Sequence, residues 1–527
     1  MKSNQPVNRS NQAPASCRPA SGIFRHQTVR FGAAVAGVLL AGQLARADDG
    51  GNYGFNHGKV TQVGDIFVIA MENHNFTQPS TQTSPQQLLG NPAAPYLNSL
   101  TTPGNPNAAQ VSFGVNYLNS GTGVHPSEPN YVWDEAGTDF GFHSDADPLA
   151  ANGNTFYDNT PQLVSQLTAN GSTLSFWHQN ATPHFTGLLT AAGIPWKNYQ
   201  EDVQLSTSPT KSTAGTNGPL NPFNGSTQYN YAVKHNPMAF FADTAEQNVY
   251  PLAQLFTDLD GNSVGQYNWI TPNQYNDAHT ALNGGFFYNG VQYTGDAANI
   301  AQGDNFLAQV IPEIMASKAY RKNGVIIIWW DETEGGDDTG RTLQEIVISP
   351  LAKGNAYASS AVLNHSSDTK TMEEIFGLPL LNNPIPATET NNYGGYNQIA
   401  TVNDLSDLFV PGAIPAPANL SVTGYGFQTN PHSQTVSQVA QITNNGSTPV
   451  SAPLFLALDN LAGATLANAD GTTALLAPLG SPYVGVSLGD DGVLRPHESR
   501  TVKLEFLDPS NAAITYTVRV LNVTPAP

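Results

Sequence analysis

The chain has 527 residues, with 40 acidic side chains against 20 basic ones and a formal net charge of −20. So large an acidic excess excludes a protein that coats nucleic acid through clustered Lys and Arg. A single cysteine excludes an intramolecular disulfide and any thiolate-rich metal site. The 39% apolar and 9% aromatic content is enough for a large core, and the length implies more than one domain.

Residues 1–47 carry Lys2, Arg9, Arg18, Arg25, Arg30 and Arg46 and no acid. The apolar run from Phe31 to Leu44 follows, and Ala45-Arg46-Ala47 fits a small-x-small cleavage site. The run is shorter than the roughly 20 residues needed to span a bilayer. This order predicts an export signal cleaved near Ala47 and a secreted or periplasmic protein. No other stretch is long and apolar enough to be a transmembrane segment. Cleavage would also remove Cys17 and six bases, leaving a more acidic chain without disulfides.

From about Asn56 to Val410, short apolar runs alternate with segments of helical spacing. Asp65–Met71, Gly324–Trp330 and Glu345–Ile348 read as buried strands. Pro161–Asn170 and Asn305–Ser317 read as helices. The alternation predicts an α/β layered domain over 48–410 with a mainly parallel central sheet. Residues 411–418 are rich in Pro, Ala and Gly and read as a linker. Short strand candidates then recur between Asn-Gly, Asp-Gly and Pro turns. They predict an immunoglobulin-like β-sandwich over 419–527, to which no chemistry is assigned.

Ligands of open α/β sheets gather beyond the carboxyl ends of strands. Here those ends read Glu72-Asn73-His74-Asn75, Asp331-Glu332-Thr333-Glu334, Asn276-Asp277-Ala278-His279 and Asn364-His365-Ser366-Ser367-Asp368. Such oxygen and imidazole donors without thiolates suit a hard or borderline divalent metal ion. Glu72, Asn73, Asp331 and Glu332 fit one site, and Asp277, His279 and His365 a second or a support for the first. Ser127 precedes Glu128-Pro129, where a helix is expected to begin. It reads either as a nucleophile at the positive end of that helix or as a plain N-cap. Asp145 and Asp147 lack a full calcium-loop pattern and are assigned to loop support. The run Asp258–Gly261 reads as a turn.

Seven segments in order carry a family resemblance: IFVIAMENHNF, HPSEPNY, GIPWKNYQED, KHNPMAFF, ITPNQYNDAH, IIIWWDETEGG and HSSDTKTMEEIFGLP, across Gly64–Pro379. The chain resembles the phosphoesterase family of bacterial acid phosphatases and phospholipases C, within the alkaline-phosphatase-like superfamily. The resemblance implies that Glu72, Asn73, Asp331 and Glu332 ligate metal beside Ser127, which would take the phosphoryl group. It implies metal or leaving-group roles for Asp277, His279 and His365, and phosphate contacts from His125, Asn130, Lys234 and His235. Trp196, Tyr199 and Glu201 are read as wall and packing. Asp277-x-His279 is shorter than the spacing in alkaline phosphatases, so one or two ions remain open. The expected substrate is a phosphorylated small molecule or, in a phospholipase C, a phospholipid head group. The alternative of another class is a secreted binding protein without catalysis.

Overall fold

The computed structural model describes residues 62–140, 143, 145, 147, 183–381 apart from 208 and 242, 383, and 402–521 apart from 416–419, 431–434, 447–448, 474–479, 490 and 509–511. The expected export segment and the helix expected over 161–170 lie outside the described residues, as do residues 416–418 of the linker.

The strands of the first region are β1 (Ile66–Met71), β2 (Val111–Tyr117), β3 (Trp196–Gln200), β4 (Thr213–Gly215), β5 (Tyr229–Tyr231), β6 (Val249–Pro251), β7 (Tyr267–Thr271), β8 (Phe286–Tyr288), β9 (Val291–Tyr293), β10 (Val325–Trp330), β11 (Leu343–Ile348) and β12 (Tyr357–Leu363). Eight of them form one sheet in the order β12-β2-β11-β10-β1-β7-β3-β6. All neighbours run parallel except at β11, which is antiparallel to both β10 and β2. The mainly parallel sheet expected from the alternating runs is therefore present. Every residue of β1, β10 and β11 is buried. Helices cover both faces of such a sheet, which is why these strands read as unbroken apolar runs rather than alternating ones.

The helices are α1 (Pro95–Leu100), α2 (Ser127–Ala136), α3 (Phe185–Ala191), α4 (Ala253–Gly261), α5 (Asp296–Ala316), α6 (Lys318–Arg321) and α7 (His365–Phe376). The spacing of Asn305–Ser317 caught only the second half of α5. Its first half, DAANIAQGD, has one large apolar residue, Ile300, among small and polar ones and carries little apolar period. Gly303 lies in that half, and an added Cβ there would stand 2.9 Å from the Ala278 Cβ. The helix thus approaches the 272–279 loop more closely than a side chain would permit.

Register places the chemistry. Met71 pairs with Trp330 across β1 and β10, and Ile69 pairs with Ile270 across β1 and β7. The residues following these three strands therefore emerge side by side at one edge of the sheet.

The C-terminal region contains only strands among its regular elements, in antiparallel sheets, as the alternating pattern predicts. Its longest pair joins Thr435–Asn444 to Ser499–Leu507. Leu456, Leu458, Ile442, Leu504 and Phe506 share one apolar cluster there. On the same strand as Leu456 and Leu458, Ala457 belongs instead to the cluster of the central sheet, with Tyr483 and Leu521. Alternation along a strand turns successive side chains to opposite faces, so this second sheet has packed residues on both sides.

Candidate active site

The loop after β1 begins Glu72-Asn73, and Asn73 adopts a left-handed backbone (φ 50°), which asparagine tolerates better than most residues. That turn aims its N–H at the Asp331 Oδ1, 2.9 Å away, and its side-chain amide donates to the Glu334 Oε1 at 3.1 Å. The two strand ends are thereby tied together.

Helix α2 brings in the serine. Its N-cap is Pro126, and no side chain caps it. The Ser127 hydroxyl is therefore not used as a cap, which removes the plainer of the two sequence readings. It lies 3.1 Å from Glu72 Oε2, 3.4 Å from Asn73 Oδ1 and 3.4 Å from Glu332 Oε1. The Lys234 Nζ stands 3.5 Å from the same oxygen. One turn along the helix, the Tyr131 hydroxyl donates to Glu72 Oε1, and its ring stacks on His235 at 5.1 Å.

His235 is fully enclosed between two acids. Its Nε2 is 2.9 Å from Glu72 Oε1 and its Nδ1 3.2 Å from Asp277 Oδ2. These are close approaches whose angles do not make aligned hydrogen bonds. Burial lowers the His235 pKa. Asp277 also joins the two loops through the backbone, since the Glu72 N–H donates to its carbonyl at 2.8 Å.

Burial dominates the electrostatics. It raises the carboxyls of Glu72, Asp277 and Glu332 to about 7, and Asp331 well above its ordinary value. Four acids packed this closely are stable as anions only near compensating positive charge. Lys234 supplies one charge, and its own pKa is raised by Glu72 and Asp145 against the effect of burial. His125 supplies another. Burial opposes its protonation, but Asp337 and Glu332 outweigh that and push it up to about 10.

No group of three or more His, Cys, Asp or Glu side chains among the described residues stands in a metal-holding arrangement by itself. The donor set around Ser127 is mixed, however. The carboxylates of Glu72, Asp331 and Glu332 are joined by the Asn73 amide oxygen and the serine hydroxyl. Asp331 Oδ2 is buried with no hydrogen-bond partner. An orphaned carboxyl oxygen beside other hard oxygens is what a divalent cation would satisfy, so the residues fit one.

Other expected members sit differently. The Asn130 amide donates to the Val124 carbonyl at 3.1 Å and approaches Glu332 Oε2 at 3.4 Å. Its donors hold the turn before the helix and are not turned to an incoming anion. His365 is enclosed behind Asp331, whose carbonyl meets its Nε2 at 2.5 Å, while Tyr117 takes Nδ1 at 2.7 Å. Burial lowers its pKa to about 3. The structure does not bring it to Ser127, and a neutral, doubly engaged ring is poorly suited to the expected proton transfer. His279 lies beside His235, with ring centroids 5.9 Å apart. Burial and the neighbouring cations lower its pKa to about 3, so it too is uncharged.

Asp337 was not among the expected residues. It accepts from His125 Nε2 at 2.8 Å, Gly123 N at 3.0 Å and Asn119 Nδ2 at 3.0 Å. Its only sequence signal was an acid a few residues beyond Glu332. Tyr131 was inside a family segment without a role, and its place four residues after Ser127 was the available clue.

A buried serine at a helix start stands among acids that follow the parallel strands of an α/β sheet. Residues 96–379 match the Phosphoesterase family, and the chain belongs to that family. Among curated relatives, it is similar to a phosphate-repressible acid phosphatase of Penicillium chrysogenum, 25% identical over 265 residues, covering 49% of this chain and 50% of that one. A phosphatidylinositol-3-phosphatase of Mycobacterium tuberculosis is 23% identical over 375 residues, covering 69% and 92%. An acid phosphatase of Aspergillus fumigatus is 32% identical over 176 residues, covering 32% and 31%. The chain thus spans about half the length of the first of these and most of the second. Among solved structures, a protein of the alkaline phosphatase superfamily from Vibrio parahaemolyticus aligns with TM-score 0.36 and 10% identity, over 72% of this chain and 77% of that one.

Proposed function

We propose that the protein is a secreted, metal-dependent acid phosphatase that hydrolyses phosphate monoesters through a phosphoserine at Ser127. The observation that carries this reading is the Ser127 hydroxyl, free of any capping role and set among Glu72, Asn73 and Glu332 with Lys234 beside it. The names of the phosphatase relatives support it, and the basic, apolar, small-residue leader supports export.

Ser127 attacks the phosphorus, its proton passes to Glu72 Oε2, the nearest acceptor at 3.1 Å, and the P–O bond to the ester oxygen breaks on the opposite side, the departing alkoxide taking a proton from solvent water. Lys234 and the positive end of α2 face the charge that develops on the phosphoryl oxygens. His125, kept protonated, shares the Glu332 carboxylate with Ser127 and adds positive charge at the rim. Water then hydrolyses the phosphoserine. A divalent ion held by Glu72, Asn73, Ser127, Asp331 and Glu332 would supply further positive charge and make the serine more acidic.

The test is hydrolysis of p-nitrophenyl phosphate by metal-stripped protein with divalent ions returned singly, beside Ser127→Ala. Turnover restored by one ion and reduced at least about 1,000-fold in the variant is the expected result. Full activity in Ser127→Ala would remove the covalent route. A lipid-borne phosphate is the second reading, favoured by the long alignment with the mycobacterial enzyme. Faster release of phosphate from phosphatidylinositol 3-phosphate, or cleavage of phosphatidylcholine, would reverse the order.

A further inference from the structure

Asp145 holds both donors that a phosphoryl group on Ser127 would need. Its Oδ1 accepts the Glu128 N–H at 3.2 Å, in the first turn of α2. Its Oδ2 accepts from the Lys234 Nζ at 2.9 Å. That same ammonium stands 3.5 Å from the serine oxygen, and Glu128 is the next residue along the chain. One carboxylate therefore spans a backbone N–H and a cation on either side of the nucleophile, as two non-bridging oxygens of a phosphoserine would. The contact is anchored from nearby. Asp147 accepts from Ser212 through both its backbone N–H, at 3.0 Å, and its hydroxyl, at 2.5 Å. The Ser212 hydroxyl in turn accepts the Val233 N–H at 3.0 Å, next to Lys234.

We infer that Asp145 is an internal competitor for the phosphate-binding position, a side chain that an incoming phosphate must displace from Lys234 and the Glu128 N–H. The inference rests on the phosphoesterase reading of the site. A carboxylate carries one negative charge and a phosphate monoester up to two, so substrate wins the exchange, but with reduced affinity. The same exchange speeds release of inorganic phosphate, because Asp145 returns to the donors that the product leaves. Asp145 thus sets affinity for the phosphoryl group and takes no part in bond making.

The rival role is support, in which Asp145 merely holds Lys234 in place. The two differ in sign. Binding of inorganic phosphate and of orthovanadate to the purified full chain is measured by calorimetry for wild type, Asp145→Asn, Asp145→Ala and Asp147→Asn. Competition requires both Asp145 variants to bind the anions about tenfold tighter or more, with a lower KM for p-nitrophenyl phosphate and stronger phosphate inhibition. Asp147→Asn, which touches neither donor, should bind as wild type does. Equal or weaker anion binding in both Asp145 variants would overturn the inference. So would equal tightening in Asp147→Asn, which would assign the effect to loosening of the anchor. Tighter binding by proteins that hydrolyse no phosphate ester would uphold the competitor while removing the phosphoesterase reading. Normal hydrolysis without tighter binding would do the reverse.

Discussion

At the scale of single residues, the acids were the easiest part of the site to read. Glu72, Asn73, Asp331 and Glu332 follow strands whose apolar runs are unmistakable, and strand ends are where an α/β sheet puts its ligands. Tyr131 and Asp337 were harder, because their meaning lies in partners distant in sequence. The Tyr131 hydroxyl meets a carboxylate 59 positions away, and its ring is fixed by His235 and by an edge contact to Trp329 at 4.9 Å. Replacing it by Phe keeps the ring and removes one donor from the buried Glu72. An unmet buried acceptor costs about 1–3 kcal/mol. Tyr131→Phe should therefore lower kcat about tenfold while leaving KM for p-nitrophenyl phosphate close to wild type. An unchanged kcat in steady-state assays would mean that His235 alone holds Glu72 in place.

At the scale of elements, register did what residue types could not. Sequence showed β1 and β10 as separate runs, whereas the order that sets β1 between β10 and β7 follows only from long-range pairing. The first half of α5 was illegible for a different reason. Its small residues serve a close approach, not an apolar stripe, and Gly303 marks the nearest point. An alanine there would press on Ala278, which already has a left-handed backbone (φ 79°) next to Asp277. Alanine favours a helix over glycine by about 1 kcal/mol. Forcing a methyl into such contact costs about 1–3 kcal/mol. The clash should win, because its partner is a rigid Cβ on a strained loop. Gly303→Ala is expected to lower the urea midpoint slightly and to reduce turnover by more than the lost stability explains. A midpoint above that of wild type would show that the loop yields freely.

At the scale of the whole molecule, the acidic excess has two parts. Some of it is solvated surface, and some is buried acid whose proton affinity folding has raised. Outside the site, burial lifts Glu201 and Asp368 to about 7 and Asp304 to about 6. Groups raised on folding bind more protons in the native state than in the unfolded chain. Their contribution is complete below the unfolded value, near 4, and is lost as pH rises through 6 and 7. His279 and His365 act oppositely, but their lowered values cost stability only below about 6.5. From pH 6.5 upward the raised carboxyls act in the same direction as His125 and His184, raised to about 10 and about 9, and the unfolding temperature should drop by a few degrees between pH 6.5 and 8.5. A rise over that interval in calorimetry would show that these acids ionise freely in the native protein. Another consequence follows from the sheet that carries Ala457 and Leu456 on opposite faces. Ala457, Tyr483 and Leu521 are buried against the cluster of the central sheet, whereas Val518 on the same sheet stays exposed. Detaching the C-terminal strands would therefore bare one apolar corner of the central sheet to water, and the two regions are joined there by a hydrophobic seam as well as by the chain.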